Sequence, residues 1–237
     1  MKSNIDYQEE FFNDVDNQYD PELIAKPPRH TQYELQLVEK RLAEHNVKAL
    51  VDYGAGTGRV ALYLMNQGYR VTAVDISQRS LDRLQILAKG KLKTQRQLPK
   101  NEQFGAIVGA DVLHHLNLAK SLEMFHGHLA PNGIIVFSEP NALNFAWYLW
   151  HPLVALVKRK SITRQLRAEK GLLQCYYWGI VGALKKAGYR QINLEGYGLL
   201  PPPLFNQLPA AARLNNWLGK LPILKLFAYR FIIYAKK

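Results

Sequence analysis
Apolar positions along the chain change period several times, and each change marks an element. Between residues 31 and 45, Leu35, Val38 and Leu42 recur at the spacing of one helix face. Thr31 with Glu34 fits a capping box at the start of that helix. Residues 47–53 read as a strand, 54–58 as a tight glycine loop, and 60–67 as a helix closed by Gly68. A second strand at 69–75 precedes a helix at 77–89, opened by Ser77 as its cap. Short apolar runs at 106–110 and 133–138 have the character of strands buried on both faces, with a helix at 119–129 between them. Strand and helix in alternation predict βαβ units and therefore a parallel sheet covered by helices.

Outside this regular stretch the pattern loosens. Residues 2–28 are polar and acidic, and Tyr7, Phe11, Phe12 and Tyr19 lie there without periodicity, as expected of a lid or a partly ordered end. The longest apolar run, Phe145–Val157, falls short of the roughly 20 residues a membrane span needs and contains His151 and Pro152. No repeat or low-complexity tract is visible, and Pro201, Pro202 and Pro203 are the clearest interruption.

Composition narrows the class. With 237 residues, 48% hydrophobic and 21% charged, the chain has the make-up of one folded domain with embellishments. Its single cysteine, Cys175, can form neither an internal disulfide nor a thiolate cluster, and no metal site is expected. No basic-then-apolar leader precedes the acidic start, so a cytoplasmic location is expected. The net charge of +12 is unevenly spread: residues 151–237 hold 15 Lys and Arg against only Glu169 and Glu195. That third also holds 11 of the 26 aromatic residues, and such a surface suits nucleic acid, an anionic bilayer or an acidic small molecule.

Gly54-Ala55-Gly56-Thr57-Gly58 is the most specific feature, because glycines between a strand and a helix let the backbone turn sharply and approach a ligand. A dinucleotide fingerprint would place glycine or alanine where Arg59 stands, which disfavours a pyrophosphate ligand. The string VDYGAGTGRVALYL at 51–64 instead resembles the cofactor motif of class I S-adenosylmethionine-dependent methyltransferases, and VTAVDIS at 71–77 resembles their second motif. The resemblance continues through 97–116 and 130–141, and more loosely through 176–197 and 228–235. It implies a Rossmann-like, doubly wound α/β fold: a mostly parallel seven-stranded sheet with an antiparallel last strand. A tail at 1–30 would precede a single domain at 31–237, with insertions at about 142–170 and 199–225 over the substrate side.

The resemblance also implies S-adenosylmethionine as cofactor and assigns residues to it. Gly54, Gly56 and Gly58 would admit its methionyl and ribose portions, and Asp75 would accept the ribose hydroxyl protons, with Ile76 beside it. Asp52 would orient the loop or the cofactor's ammonium group through water, and Asp111, beyond the fourth strand, is also assigned to cofactor binding. At the third strand the family commonly has an acidic residue for the adenine amino group; here Thr94 and Gln95 offer weaker acceptors. Arg29 either pairs with the cofactor's carboxylate or is a solvated surface arginine.

Methyl transfer at carbon gains chiefly from alignment, with a base added where the nucleophile carries a proton. His114, His115 and Glu139 fall at the carboxyl ends of the fourth and fifth strands and are the catalytic candidates; the alternative is that they cap and orient loops. The acceptor is expected to be a small molecule, hydrophobic or anionic, a lipid-like one included, with peripheral contact at an anionic membrane surface. Trp147, Trp150, Leu153 and Leu156 followed by Lys158, Arg159 and Lys160 suit an interfacial helix. The same cluster, extended by Arg164, Arg167 and Lys170, also suits an RNA groove. An RNA methyltransferase and an inactive cofactor-binding scaffold are the alternatives, nucleic acid being disfavoured because Asp111-Val112-Leu113-His114 is not the Asn/Asp-Pro-Pro-aromatic motif of base-amino methyltransferases. Oligomeric state is not legible.

Overall fold
The computed structural model describes residues 21–157 and 169–237. Its strands are β1 (Ala49–Tyr53), β2 (Arg70–Val74), β3 (Lys93–Gln95), β4 (Phe104–Ala110), β5 (Leu129–Pro140), β6 (Arg190–Tyr197) and β7 (Arg230–Lys236). They form one sheet in the order β3-β2-β1-β4-β5-β7-β6. The first five pair in parallel, and β7 enters antiparallel between β5 and β6, as the resemblance implied.

Helices α1 (Pro21–Ala25), α2 (Arg29–Glu44), α3 (Arg59–Asn66), α4 (Gln78–Leu87), α5 (Leu118–His128), α6 (Phe145–Val157), α7 (Tyr177–Lys186) and α8 (Pro209–Leu218) complete the described residues. Alternation along the strands divides the core in two. Leu50, Ala106, Val108, Ile134 and Val136 face α2 and α3, whereas Val51, Ile107, Ile135 and Phe137 face α5 and α7. Ser77 caps α4 as its sequence predicts, its Oγ accepting the Ser80 N–H at 3.1 Å.

The capping box proposed at Thr31 and Glu34 is not formed. The helix starts earlier, at Arg29 behind Pro28, and both residues are buried within it. Glu34 has a different partner, the Arg230 guanidinium at 3.2 Å, which explains an acidic side chain on a buried helix face.

Strand order fixes where a ligand belongs. The chain runs outward from β1 through β2 to β3 and then returns to β4 on the other side of β1. In open sheets of this kind the crevice lies outside the carboxyl ends of the strands at that reversal. Tyr53, Val74, Gln95, Ala110 and Pro140 end the five parallel strands, so the residues beside them build the site.

Candidate active site
Between β1 and α3 the backbone makes two bonds to the end of β2, Gly54 N and Ala55 N both donating to Val74 O at 2.8 and 3.0 Å. Gly54 has φ +72°, and a Cβ there would lie 2.3 Å from Val112 Cγ2, so only glycine fits beneath the β4 loop. Gly56, at φ +51°, is the reverse: a Cβ would meet nothing within 4 Å. The turn is thus packed on one side and open on the other.

Asp75, the residue after β2, secures this turn. Its Oδ2 accepts the Gly56 N–H at 2.7 Å and its Oδ1 accepts the Ser77 N–H at 2.8 Å. Burial pushes its carboxyl upward, and the two N–H donors oppose that shift. A carboxylate offers about four acceptor positions, so two N–H bonds leave capacity for ligand hydroxyls. Ile76 contributes its carbonyl, which accepts from Arg96 Nε and Nη2 at 3.1 and 2.8 Å.

The two acceptors at the third strand differ. Thr94 Oγ1 is engaged by Gln85 Nε2 at 2.9 Å and so ties β3 to α4. Gln95 Oε1 is buried and has no hydrogen-bond partner among the described residues. An orphaned carbonyl next to the Asp75 segment has the chemistry to accept from a ligand amino group.

Asp52 lies one strand over and is 1% exposed, and among the described residues no donor, the Ala61 backbone N–H included, reaches full hydrogen-bond geometry to either carboxyl oxygen. Burial pushes its pKa up to about 8, outweighing the Ala61 backbone N–H and the Arg59 charge.

Beyond β4, Asp111 adopts φ +58°, a conformation uncommon outside glycine. Its carboxylate takes Arg59 Nη2 at 2.6 Å and Arg230 Nη2 at 2.7 Å. Glu34 meets the same two arginines at 3.8 and 3.2 Å, and Ser138 supplies Arg230 with further acceptors. Although burial acts the other way, Arg230 and then Arg59 hold the Asp111 carboxyl well below the usual range. Sequence reasoning missed this four-charge network; Arg59 at the anomalous sixth position of the loop was its visible sign.

The β4–β5 side carries the titratable pair. His114 Nδ1 lies 2.7 Å from Glu139 Oε2, and Glu139 Oε1 accepts the Val112 and Leu113 N–H groups, each at 2.8 Å. Glu139 is fully buried and His114 nearly so. The His115 ring is tilted against that of His114 with centroids 4.0 Å apart. A 3₁₀ turn, Glu169–Gln174, covers the pair: a Cβ on Gly171 would lie 1.6 Å from His114 O, and Gln174 Nε2 donates to Leu116 O at 2.8 Å. Cys175 follows, its thiol pushed up by burial and by the Glu139 charge, and therefore inert.

Two expectations fare differently. Arg29 is exposed, and its Nε donates to Asn206 O at 3.3 Å, while neighbouring His30 Nδ1 pairs with Asn206 Oδ1 at 2.9 Å. Trp147, expected at an interface, is buried: it stacks on Tyr229 at 4.3 Å and donates Nε1–H to Tyr229 O at 2.6 Å. The cations at 158–160, Arg164 and Arg167, and the aromatic residues of the amino-terminal tail, lie outside the described residues. Among the described residues no cluster suits a metal ion, and no helix is long and apolar enough to cross a membrane.

Residues 28–185 match the family model of a methyltransferase domain. A ubiquinone biosynthesis O-methyltransferase from Rickettsia canadensis is 25% identical over 130 residues, which is 52% of this chain and 55% of that protein. The chain thus spans about half the length of the curated relatives it matches. Among solved structures, an S-adenosylmethionine-dependent methyltransferase from Thermotoga maritima superposes with a TM-score of 0.64 at 16% identity, covering 97% of this chain and 99% of that one. Magnesium protoporphyrin IX methyltransferase from Synechocystis, solved with S-adenosylmethionine bound, gives 0.59 at 13% identity, covering 100% and 98%.

Proposed function
Because the chain belongs to the methyltransferase-domain family, we propose that it transfers a methyl group from S-adenosylmethionine to a hydroxyl oxygen of a small apolar or amphiphilic acceptor. One observation carries this reading. The carboxyl ends of five neighbouring strands bring together an open glycine turn, a carboxylate with spare acceptor capacity, an orphaned amide oxygen and a His–Glu pair. The first three fit a nucleoside that carries hydroxyl and amino groups but no phosphate.

Asp75 would hold the ribose hydroxyls, Gln95 Oε1 the adenine amino group, and the Gly54–Gly58 turn the methionyl portion. Once bound, S-adenosylmethionine supplies an electrophilic methyl carbon whose bonding pair to sulfur stays on sulfur. The chain's own residues do the rest. With the His114 Nδ1 proton donated to Glu139, Nε2 is the basic nitrogen and takes the acceptor's hydroxyl proton as the oxygen forms its bond to carbon. Glu139, with three hydrogen-bond partners, is a positioning residue that sets the tautomer. The names of the Rickettsia relatives support oxygen as the acceptor atom and an apolar acceptor.

Calorimetric titration with S-adenosylmethionine and its demethylated product, on the wild type and on Asp75→Ala, tests the cofactor site. Both ligands should bind the wild type, and the variant should bind each at least tenfold more weakly, about 1.4 kcal/mol. Tritium transfer from the labelled methyl group to hydroxylated aromatic acceptors then tests the reaction. Equal affinities for the two proteins, or tighter binding of NADH, would sink the assignment.

A further inference from the structure
The short turn that carries His114 is gripped at both ends. Leu113–His115 is a single 3₁₀ turn closed by two backbone bonds, His115 N to Val112 O at 3.0 Å and Leu116 N to Leu113 O at 3.1 Å. So short a run has little cohesion of its own, and its outer donors and acceptors need partners elsewhere. Glu139 supplies them at the amino end, where Oε1 accepts the Val112 and Leu113 N–H groups while Oε2 meets the His114 ring. Gln174 supplies them at the carboxyl end. Its Nε2 donates to Leu116 O at 2.8 Å and reaches Leu113 O and His114 O at 3.4 and 3.5 Å.

Gln174 is itself fixed by buried neighbours. Its segment, the 3₁₀ turn Glu169–Gln174, puts Leu172 and the following Cys175 into the same apolar cluster as Leu113. Cys175 O accepts the Ala142 N–H at 2.7 Å just beyond β5, and Cys175 N donates to Leu172 O at 2.8 Å. The chain that leaves the sheet after β5 and forms α6 thus returns to its point of departure at Cys175, directly after Gln174. Gly171 permits the close approach, because a side chain there would run into the His114 carbonyl. Buried Leu172 and Cys175 therefore flank Gln174 closely enough to hold its amide against the turn it grips.

We propose that Gln174 is a positioning residue for the methyl-transfer step: by holding the carbonyl end of the Leu113–His115 turn it keeps the His114 imidazole on Glu139. The inference rests on the reading of His114 as the base that takes the acceptor's proton. Both Glu139 oxygens are committed, one to the turn and one to the ring, so a shift of the turn pulls the ring off its partner. An amide suits the place, because the carbonyls of Leu113, His114 and Leu116 converge there and a side-chain NH₂ brings two donors. A carboxylate of the same shape would set negative charge against those oxygens. A thioether of similar length would fill the space and donate nothing, which separates the bonds from the packing.

Proton NMR of the wild type, Gln174→Met, Gln174→Glu and Leu173→Ala reads the ring without any acceptor. The His114 Nδ1–H, held by Glu139, should give a downfield imidazole resonance that His114→Gln removes. In Gln174→Met that proton should exchange with water about tenfold faster, and in Gln174→Glu its resonance should be lost. Leu173 lies in the same turn but is 68% exposed, so Leu173→Ala should behave as the wild type. Turnover, read by tritium transfer to a hydroxylated aromatic acceptor, should fall about tenfold for Gln174→Met and about 10²-fold for Gln174→Glu, with KM and S-adenosylmethionine affinity within about twofold of the wild type. Thermal melts verify that each variant is folded. Wild-type exchange and turnover in Gln174→Met and Gln174→Glu, or a Leu173→Ala as impaired as Gln174→Met, would overturn the proposal and leave His114 as the base. A wild type lacking the resonance would overturn it as well. Wild-type turnover in His114→Gln would instead remove the base, and the part of Gln174 in transfer with it, whatever the resonance does.

Discussion

Replacing Asp52 with asparagine is expected to flatten the pH dependence of stability between about pH 4 and pH 8. In the folded chain its carboxyl pKa is pushed up from 3.8 to about 8, mainly by burial. The unfolded chain releases that proton near pH 4, so across this window the native state holds one proton more than the unfolded state. Stability must then fall as pH rises, by about 1.4 kcal/mol per pH unit from this group, and level off above pH 8. Across the full window of roughly four pH units the loss approaches about 6 kcal/mol, a large share of an ordinary domain's stability. Asparagine has nearly the same shape and cannot ionise, so the variant should match the wild type near pH 4 and exceed it increasingly towards pH 8. Urea titrations of both proteins at a series of pH values measure the difference directly, and other titrating groups cancel in it. A wild-type-minus-variant difference that does not change with pH would show that Asp52 is ionised in the folded chain and would refute the reasoning.

Further substitutions separate ligand contacts from structural ones. Gln95→Leu removes no hydrogen bond made within the described residues, so its thermal transition should hold or rise while affinity for S-adenosylmethionine falls roughly five- to thirtyfold, read by calorimetry. His114→Gln should leave cofactor affinity nearly unchanged and lower turnover by about 10²–10⁴, with the pH dependence of turnover lost; His115→Gln serves as the comparison, and equal turnover in both would return His114 to a structural role. Arg230→Met leaves buried Glu34 and partly exposed Asp111 with Arg59 as their shared counter-charge, and urea unfolding should report a loss of about 3 kcal/mol.

The parallel half of the sheet was legible because each strand and helix there is short, continuous and bounded by its own glycine or cap. Ser77 and Gly68 mark their helices locally, and no distant partner competes with them. Thr31 and Glu34 misled for the opposite reason: a capping pattern is a local signal, and Glu34 answers to Arg230, 196 positions along the chain. Trp147 misled similarly, since apolar neighbours followed by cations describe both an interfacial helix and a helix packed by one aromatic ring. Its Tyr229 partner decides between them for that side chain, while Leu149 and Leu153 on the other side stay exposed. The side-chain partners at the strand ends were not legible, because partnership is set by the register of strands far apart in the chain.

Four carboxyl groups lie at or just beyond neighbouring strands, and the way each is accommodated decides what it can do. Asp52 is buried with its pKa pushed up to about 8, and Asp75 takes two backbone N–H groups. Asp111 takes two guanidinium groups, and Glu139 takes two N–H groups and an imidazole. A carboxylate saturated by arginines holds elements together and has little affinity left for a ligand cation, which makes Asp111 a link between α3 and β7, with Glu34 tying α2 to the same two arginines. One that accepts two backbone donors has the burial that pushes its carboxyl upward opposed and keeps spare acceptor positions, which suits Asp75 to neutral hydroxyls. One that faces an imidazole passes its effect to the ring, so Glu139 matters through His114. The division of labour follows from the donors that surround each group, and it is why identical residue types at equivalent strand ends require different experiments.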